Sequence, residues 1–260
     1  MRSLFKSLLP ATLQDLYRKV KKRFLLSRLA GREFYCPICE KHFASFLTHG
    51  LARRKNAKCP NCGSLERHRL QYLFLRDKLS LFDGRQRLKL LHFAPEKCFV
   101  EMFTRNEHID YVGCDLSPQR YDGKGKFKIV KVDITSIPFG ECTFDAILCN
   151  HVLEHIPDDR LAMSELYRVL KVGGWGVFQV PIDYARETTY EDSSITDPVE
   201  REKAFGQNDH VRWYGRDFPD RLESAGFTVS EDNFVMTLSK SDRTRYSVME
   251  TELIYYCTRK

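Results

Sequence analysis

No stretch of this 260-residue chain holds the ~20 uninterrupted apolar residues that a membrane-spanning helix requires. Its first residues lack a clean apolar core followed by a small-residue cleavage site, which argues against a secretory signal. Both absences set the expectation of a cytoplasmic protein. Internal repeats and low-complexity tracts are also missing, which excludes a solenoid and a long unfolded segment. Glycine is absent where it would be most telling. The run KLLHFAPEKC, residues 89–98, reads as a buried strand turning into a helix. Such a turn near the start of an α/β domain usually cradles a nucleotide with glycines. Here Ala94, Pro95 and Glu96 stand in their place.

What is present suits a globular protein, with 42% hydrophobic and 30% charged residues. The length allows one full domain and a small extra module. The net charge of +7 is unevenly spread. Residues 1–76 carry 17 Lys and Arg against 4 Asp and Glu, whereas the remainder has 25 against 31. A basic first third points to an anionic partner, RNA or a membrane surface, or simply to a solvated basic face. Within it, residues 11–30 place Leu13, Leu16, Tyr17, Val20 and Phe24 at helical spacing, with Arg18, Lys19, Lys21, Lys22 and Arg23 between them. This predicts a basic amphipathic helix. It either packs on its own protein or lies peripherally on a membrane.

Nine cysteines include two C-x-x-C pairs, Cys36 and Cys39 in CPIC and Cys59 and Cys62 in CPNC. Each pair can place two thiolates on one tight turn, about 2.3 Å from a shared ion. Two such turns predict a closed four-cysteine Zn2+ site with a structural role. A redox dithiol is the rival, and it fits poorly because neither pair sits at a strand-to-helix junction. Cys98, Cys114, Cys142, Cys149 and Cys257 lie in or near apolar segments and are expected to be buried thiols.

After a helical linker at about 65–82, strand-like runs recur at 88–93, 110–114, 127–132, 144–149 and 175–180. A helix is expected over 158–174, ended by Gly173 and Gly174, with Met163, Leu166, Val169 and Leu170 as its inner stripe. Two late strands near 227–236 and 248–257 would complete the sheet, and the polar stretch 183–210 suggests a lid or binding loop. Repeated strand–helix alternation argues for an α/β fold, a Rossmann-like, mostly parallel sheet with helices on both faces. Three parts follow: a basic helix over 1–33, a zinc-ribbon-like module and linker helix over 34–82, and the α/β domain over 83–260.

Acids recur at the carboxyl ends of successive strands. Asp115 lies 21 residues beyond Ala94, the position from which a carboxylate accepts hydrogen bonds from a ribose. Asp133 ends the third strand. Each taken singly also fits a helix cap. From Val132 onward, the block VDITSIPFGECTFDAILCNHVLEHIPDDRLAMSELYRVLKVGGWGVFQVPI resembles the second half of a class I S-adenosylmethionine (SAM)-dependent methyltransferase of the type 11 group. The resemblance covers about residues 88–257. It implies a seven-stranded sheet with an antiparallel last strand, and a cofactor site spread over three turns. His92, Phe93, Ala94, Pro95 and Glu96 would form the first turn, with Glu96 offering its carboxylate to the cofactor's ammonium. Asp115 and Leu116 would hold the ribose, Asp133 and Ile134 the adenine side, and Asn150, His151 and Val152 the methionine end. The glycine-free first turn departs from the family pattern.

Methyl transfer to a hydroxyl benefits from a base within hydrogen-bond reach. His155 and His210 are the candidates, since an imidazole titrates near working pH. Asp209 would orient His210, Arg212 would grip a carboxylate or phosphate, and Tyr214 completes the cluster. A zinc-bearing N-terminal segment on such a domain resembles polysaccharide-modifying methyltransferases, which implies a small-molecule or glycan acceptor. The alternatives are an RNA methyltransferase, with Phe34, Tyr35, Phe43 and Phe46 available to stack on bases, or a non-catalytic zinc-bearing binding protein.

Overall fold

A computed structural model describes residues 10–50, 52–121 and 128–260. The chain divides into two units, Met1–Ser80 with Val235–Glu252, and Leu81–Phe234 with Leu253–Lys260. The α/β domain was expected to run unbroken over 83–260, but it gives up residues 235–252 to the first unit.

In the first unit, α1 spans Ala11–Arg28. Strand β1 (Phe34–Cys36) pairs antiparallel with β2 (Lys41–Phe43), and β3 (Leu47–His49) with β4 (Arg54–Lys58). Helix α2 (Glu66–Leu73) then continues into a π-helical turn, Phe74–Lys78. A small core forms where Cys36, Phe43, Phe46 and Cys59 meet, with Leu26 and Leu29 from the end of α1 packed against it. Phe43 and Phe46 are therefore spent on packing and not available to stack on bases, as the RNA alternative would need. Arg69 explains why residues 235–252 belong here. Its guanidinium is fully buried and donates to the carbonyls of Ala57, Ser64, Tyr246 and Ser247 at 2.6–3.1 Å. A buried charge is tolerated only when its donors are met, and half of these acceptors come from the returning segment.

The second unit holds the seven-stranded sheet. Its strands are β5 (Leu88–Phe93), β6 (Ile109–Asp115), β7 (Ile129–Lys131), β8 (Phe144–Asn150), β9 (Leu170–Gln179), β12 (Thr228–Asp232) and β13 (Ile254–Thr258), with β10 (Tyr190–Glu191) and β11 (Arg212–Trp213) forming a separate pair. The order across the sheet is β7-β6-β5-β8-β9-β13-β12. All neighbours are parallel except those of β13, which runs antiparallel to both β9 and β12. Residue 127, the expected start of the third strand, lies outside the described residues.

Period-two alternation along β5 puts a helix on each face. Leu91 and Phe93 join a core that includes Met163, Leu166 and Val169 of α4 (Asp159–Val169) and Leu222 of α6 (Phe218–Ser224). On the other face, His92 meets Phe99 and Phe103 of α3 (Lys97–Arg105). Helix α4 stops earlier than expected. Leu170 already has extended backbone, and β9 runs through both glycines. Gly173 takes φ +77° and donates its N–H to Arg259. A Cβ on Gly174 would stand 2.9 Å from the carbonyls of Asp145 and Lys171. These glycines admit neighbouring strands rather than cap a helix. The polar stretch 183–210 contains β10 and α5 (Pro198–Phe205), so it is not one open loop. Among the thiols expected to be buried, Cys142 is exposed and Cys98 half-buried, while Cys114, Cys149 and Cys257 are buried.

Candidate active site

The chain order of the sheet reverses between β5 and β8. In open parallel sheets that reversal splays the two outgoing connections and leaves a crevice beyond the carboxyl ends. A cavity of about 340 Å³ occupies this place, within the ~300–1,000 Å³ range of ligand pockets. Phe93 and Ala94 line it from β5, Asp115, Leu116 and Ser117 from β6, and Val132, Asp133 and Ile134 from the segment after β7. His151, Val152, His155, Ile156 and Asp209 close the other side.

The two acids of the rim are held by their own turns. Asp115 accepts from the Ser117 N–H at 2.6 Å and the Tyr121 hydroxyl at 3.0 Å. Asp133 accepts from the Thr135 hydroxyl at 2.7 Å and N–H at 2.9 Å, and those bonds hold its carboxyl below the usual range. It therefore stays ionised at neutral pH. Ala94 takes φ +45°, the left-handed region a glycine would enter freely, and its N–H donates to Cys114 at 2.9 Å. The chain thus keeps the sharp corner without the glycine.

Behind this corner, Glu96 accepts from Asn150 Nδ2 at 3.1 Å and meets His92 Nε2 at 2.9 Å. His92 also contacts the Tyr111 hydroxyl at 3.2 Å. None of Glu96, His92, Pro95 and Asn150 lines the cavity. Glu96 was expected to reach the ligand. Here it ties the ends of β5 and β8 together through Asn150 and His92.

On the far side, His155 lines the cavity, and its Nδ1 lies 3.1 Å from the Asp209 carbonyl. A carbonyl can only accept, so Nδ1 donates this bond, which in the neutral ring leaves the lone pair on Nε2. His151 lines the cavity too, at φ +54°, with Nδ1 3.1 Å from Glu154 Oε1. Glu154 is 1% exposed, and neither its Oε2 nor His151 Nε2 has a hydrogen-bond partner. Sequence reasoning missed Glu154. Its spacing of three from His151 was visible, but its burial was not.

Residues 96–178 match the family described as "Methyltransferase domain". That segment, about a third of the chain, is thus similar to a methyltransferase domain. A demethylmenaquinone methyltransferase of Thermobifida fusca (strain YX) is 28% identical over 137 residues, 49% of this chain and 53% of that protein. An uncharacterized methyltransferase of Mycobacterium sp. (strain KMS) is 30% identical over 88 residues, 32% of this chain and 34% of that protein. The chain thus spans between about a third and about half the length of these curated relatives. A SAM-dependent methyltransferase from Archaeoglobus fulgidus aligns with TM-score 0.45 at 15% identity, covering 76% of this chain and 95% of that one.

Not every residue expected at the substrate end of the cavity is there. His210 is buried, and its ring nitrogens contact the Phe205 carbonyl at 3.1 Å and the Gln207 amide at 2.6 Å. Burial pushes its pKa down. Asp209 reaches the cavity, but beside His155, its Oδ2 3.5 Å from Nδ1, rather than as a partner of His210. Arg212 is 3% exposed and faces inward. It donates to the carbonyls of Leu153, Ile156 and Pro157 and to Glu191. Tyr214 is fully buried, with its hydroxyl on Asp159 at 2.7 Å. Arg212 therefore braces the Leu153–Pro157 segment and Tyr214 the start of α4, instead of gripping a substrate.

Among the described residues, two groups bring metal-ligand atoms within 4.8 Å of one another. One is Glu154, His155 and His210, but the ring nitrogens of His210 are engaged as just described. The other is Cys36, Cys39, Cys59 and Cys62. Its sulfurs stand 3.6 Å apart for Cys36 and Cys62 and 3.7 Å for Cys39 and Cys59. Four sulfurs placed tetrahedrally about 2.3 Å from an ion would be about 3.8 Å apart. Ser64 Oγ lies 3.4 Å from Cys36 Sγ and 3.2 Å from Cys62 Sγ, a supporting outer contact.

The strained corner gives a first prediction. An alanine in the left-handed region costs about 1–2 kcal/mol, and a glycine in its place loses about 0.5–1 kcal/mol of backbone entropy on folding. The relieved strain equals or exceeds the lost entropy, by up to about 1.5 kcal/mol, so Ala94→Gly should hold or raise the melting temperature and should not lower it. Ala94→Val, β-branched at positive φ, should lower stability by about 1–3 kcal/mol and narrow the crevice. Thermal melts of both variants check this.

Proposed function

We propose that the chain is a SAM-dependent methyltransferase that methylates a hydroxyl on a small-molecule or glycan acceptor. The observation that carries the reading is the ligand-sized crevice at the sheet's reversal point, with Asp115 and Asp133 on one wall and His155 on the other. When bound, SAM supplies a methyl group activated on a sulfonium. Asp115 accepts hydrogen bonds from the ribose hydroxyls. Asp133 and Ile134 edge the adenine, and Phe93 and Ala94 back the methionine end. Glu96, with His92 and Asn150, fixes the corner on which that end rests. His155 Nε2 carries the lone pair that takes the acceptor's proton, and the Asp209 carbonyl keeps it in that tautomer.

A small-molecule acceptor is supported by the demethylmenaquinone methyltransferase name borne by relatives. The burial of Phe43 and Phe46 removes two of the four aromatics on which RNA recognition would rest. The four thiols hold one Zn2+ in a closed structural site. Those thiols must stay reduced to do so, which suits a cytoplasmic setting.

Two measurements test the reading. Calorimetry with S-adenosylhomocysteine (SAH) should give a single site, and absence of heat would sink it. With tritiated methyl SAM, label should pass to hydroxyl-bearing small molecules or glycans; label appearing in RNA alone would replace the acceptor assignment. On such an acceptor, His155→Ala should lower kcat by about 100–10,000-fold with SAH affinity unchanged. An unchanged kcat would remove His155 as the base.

A further inference from the structure

An amphipathic helix on a globular protein normally turns its apolar stripe inward. Helix α1 does not. Leu13, Leu16, Tyr17, Val20 and Phe24 share one face and stay exposed, Phe24 by 63% and Leu16 and Val20 by 57%. Contiguous exposed apolar faces of this kind mark an interaction site. The helix is not a detached arm, because Leu26 and Leu29 at its far end pack on the cysteine core. That contact uses residues off the stripe, so the stripe is left outward on a helix fixed at one end.

Charge says what the stripe meets. Arg18, Lys19, Lys21, Lys22, Arg23 and Arg28 stand against one carboxylate in the helix, Asp15, which is already paired with Lys19 at 3.0 Å. At 100° per residue, Lys21 falls on one border of the stripe and Arg23 on the other. An apolar ridge flanked on both sides by cations fits the boundary between acyl chains and anionic headgroups, where apolar side chains sink and long basic ones reach outward. A folded acidic protein would match the cations but not five apolar side chains in a row without a groove. RNA would match the cations and leave the leucines in water. We infer that α1 is an interfacial helix that docks the protein on an anionic lipid surface. This is independent of the cofactor reading.

The test uses the full zinc-loaded chain and sedimentation with vesicles. Vesicles containing anionic phosphatidylglycerol should pull down at least about tenfold more protein than pure phosphatidylcholine, since each basic residue near an anionic surface contributes about 1 kcal/mol. High salt should weaken the binding. Leu16→Asp with Val20→Asp should abolish it, and Lys21→Glu with Lys22→Glu should abolish the preference for anionic lipid. These side chains are exposed, so the variants should keep their zinc and their SAH affinity, which separates loss of docking from loss of fold. Equal binding of wild type and the aspartate variant would overturn the inference. So would a salt-sensitive RNA shift without vesicle binding, or a dimer that the aspartate variant splits while vesicles are ignored.

Discussion

Asp115→Ala should weaken SAH binding by about 100-fold and also lower the melting temperature, because the Ser117 and Tyr121 hydrogen bonds are lost with the carboxylate. The carboxylate already accepts from Ser117 and Tyr121 and has further lone pairs for two ribose hydroxyls. Hydrogen bonds to a charged acceptor contribute about 1.5–3 kcal/mol each, and about 1.4 kcal/mol is tenfold in affinity. Losing two gives at least the stated factor. Asp115→Asn should fall between, since its amide oxygen still accepts from Ser117 but its NH2 cannot accept. Calorimetry on the three proteins checks the order. Equal affinities would move the ribose elsewhere.

The second large effect concerns the thiols. Structural zinc contributes about 10–16 kcal/mol of apparent binding free energy to small domains, far more than the core of four buried residues around Cys36 can replace. Cys59→Ser should therefore drop the zinc content from one per chain to none and expose the first unit to trypsin. New cuts are expected at Arg53 and Arg54, between the two pairs. SAH binding, which rests on the second unit, should persist. Metal analysis with limited proteolysis reads both parts. A variant that keeps its zinc, or stays resistant without it, would contradict the assignment.

Much of the fold was legible because strands and turns alternate with a short period. Strand β5 falls where the sequence predicts it, and the acids of β6 and the segment after β7 reach the rim because a parallel sheet brings successive carboxyl ends to one edge. The four-cysteine cluster was legible for a similar reason, since C-x-x-C is local geometry. What failed was non-local. Gly173 and Gly174 read as a helix end until Arg259 and Asp145, both distant in sequence, approach them. Arg212 and Tyr214 read as substrate contacts because a cation and a phenol beside a polar loop look reactive. Their partners lie some 55 residues earlier, at Pro157 and Asp159. Glu96 shows the same limit, as nothing local says that Asn150 will stand beside it.

The central claim is that the methyl donor lies along the carboxyl ends of β5, β6 and β7. Hydrogen–deuterium exchange with and without SAH tests this most directly. Backbone amides of residues 93–96, 115–121 and 132–135 should slow on binding, together with those of 151–155. Protection confined to the first unit, or none at saturating SAH, would contradict the account.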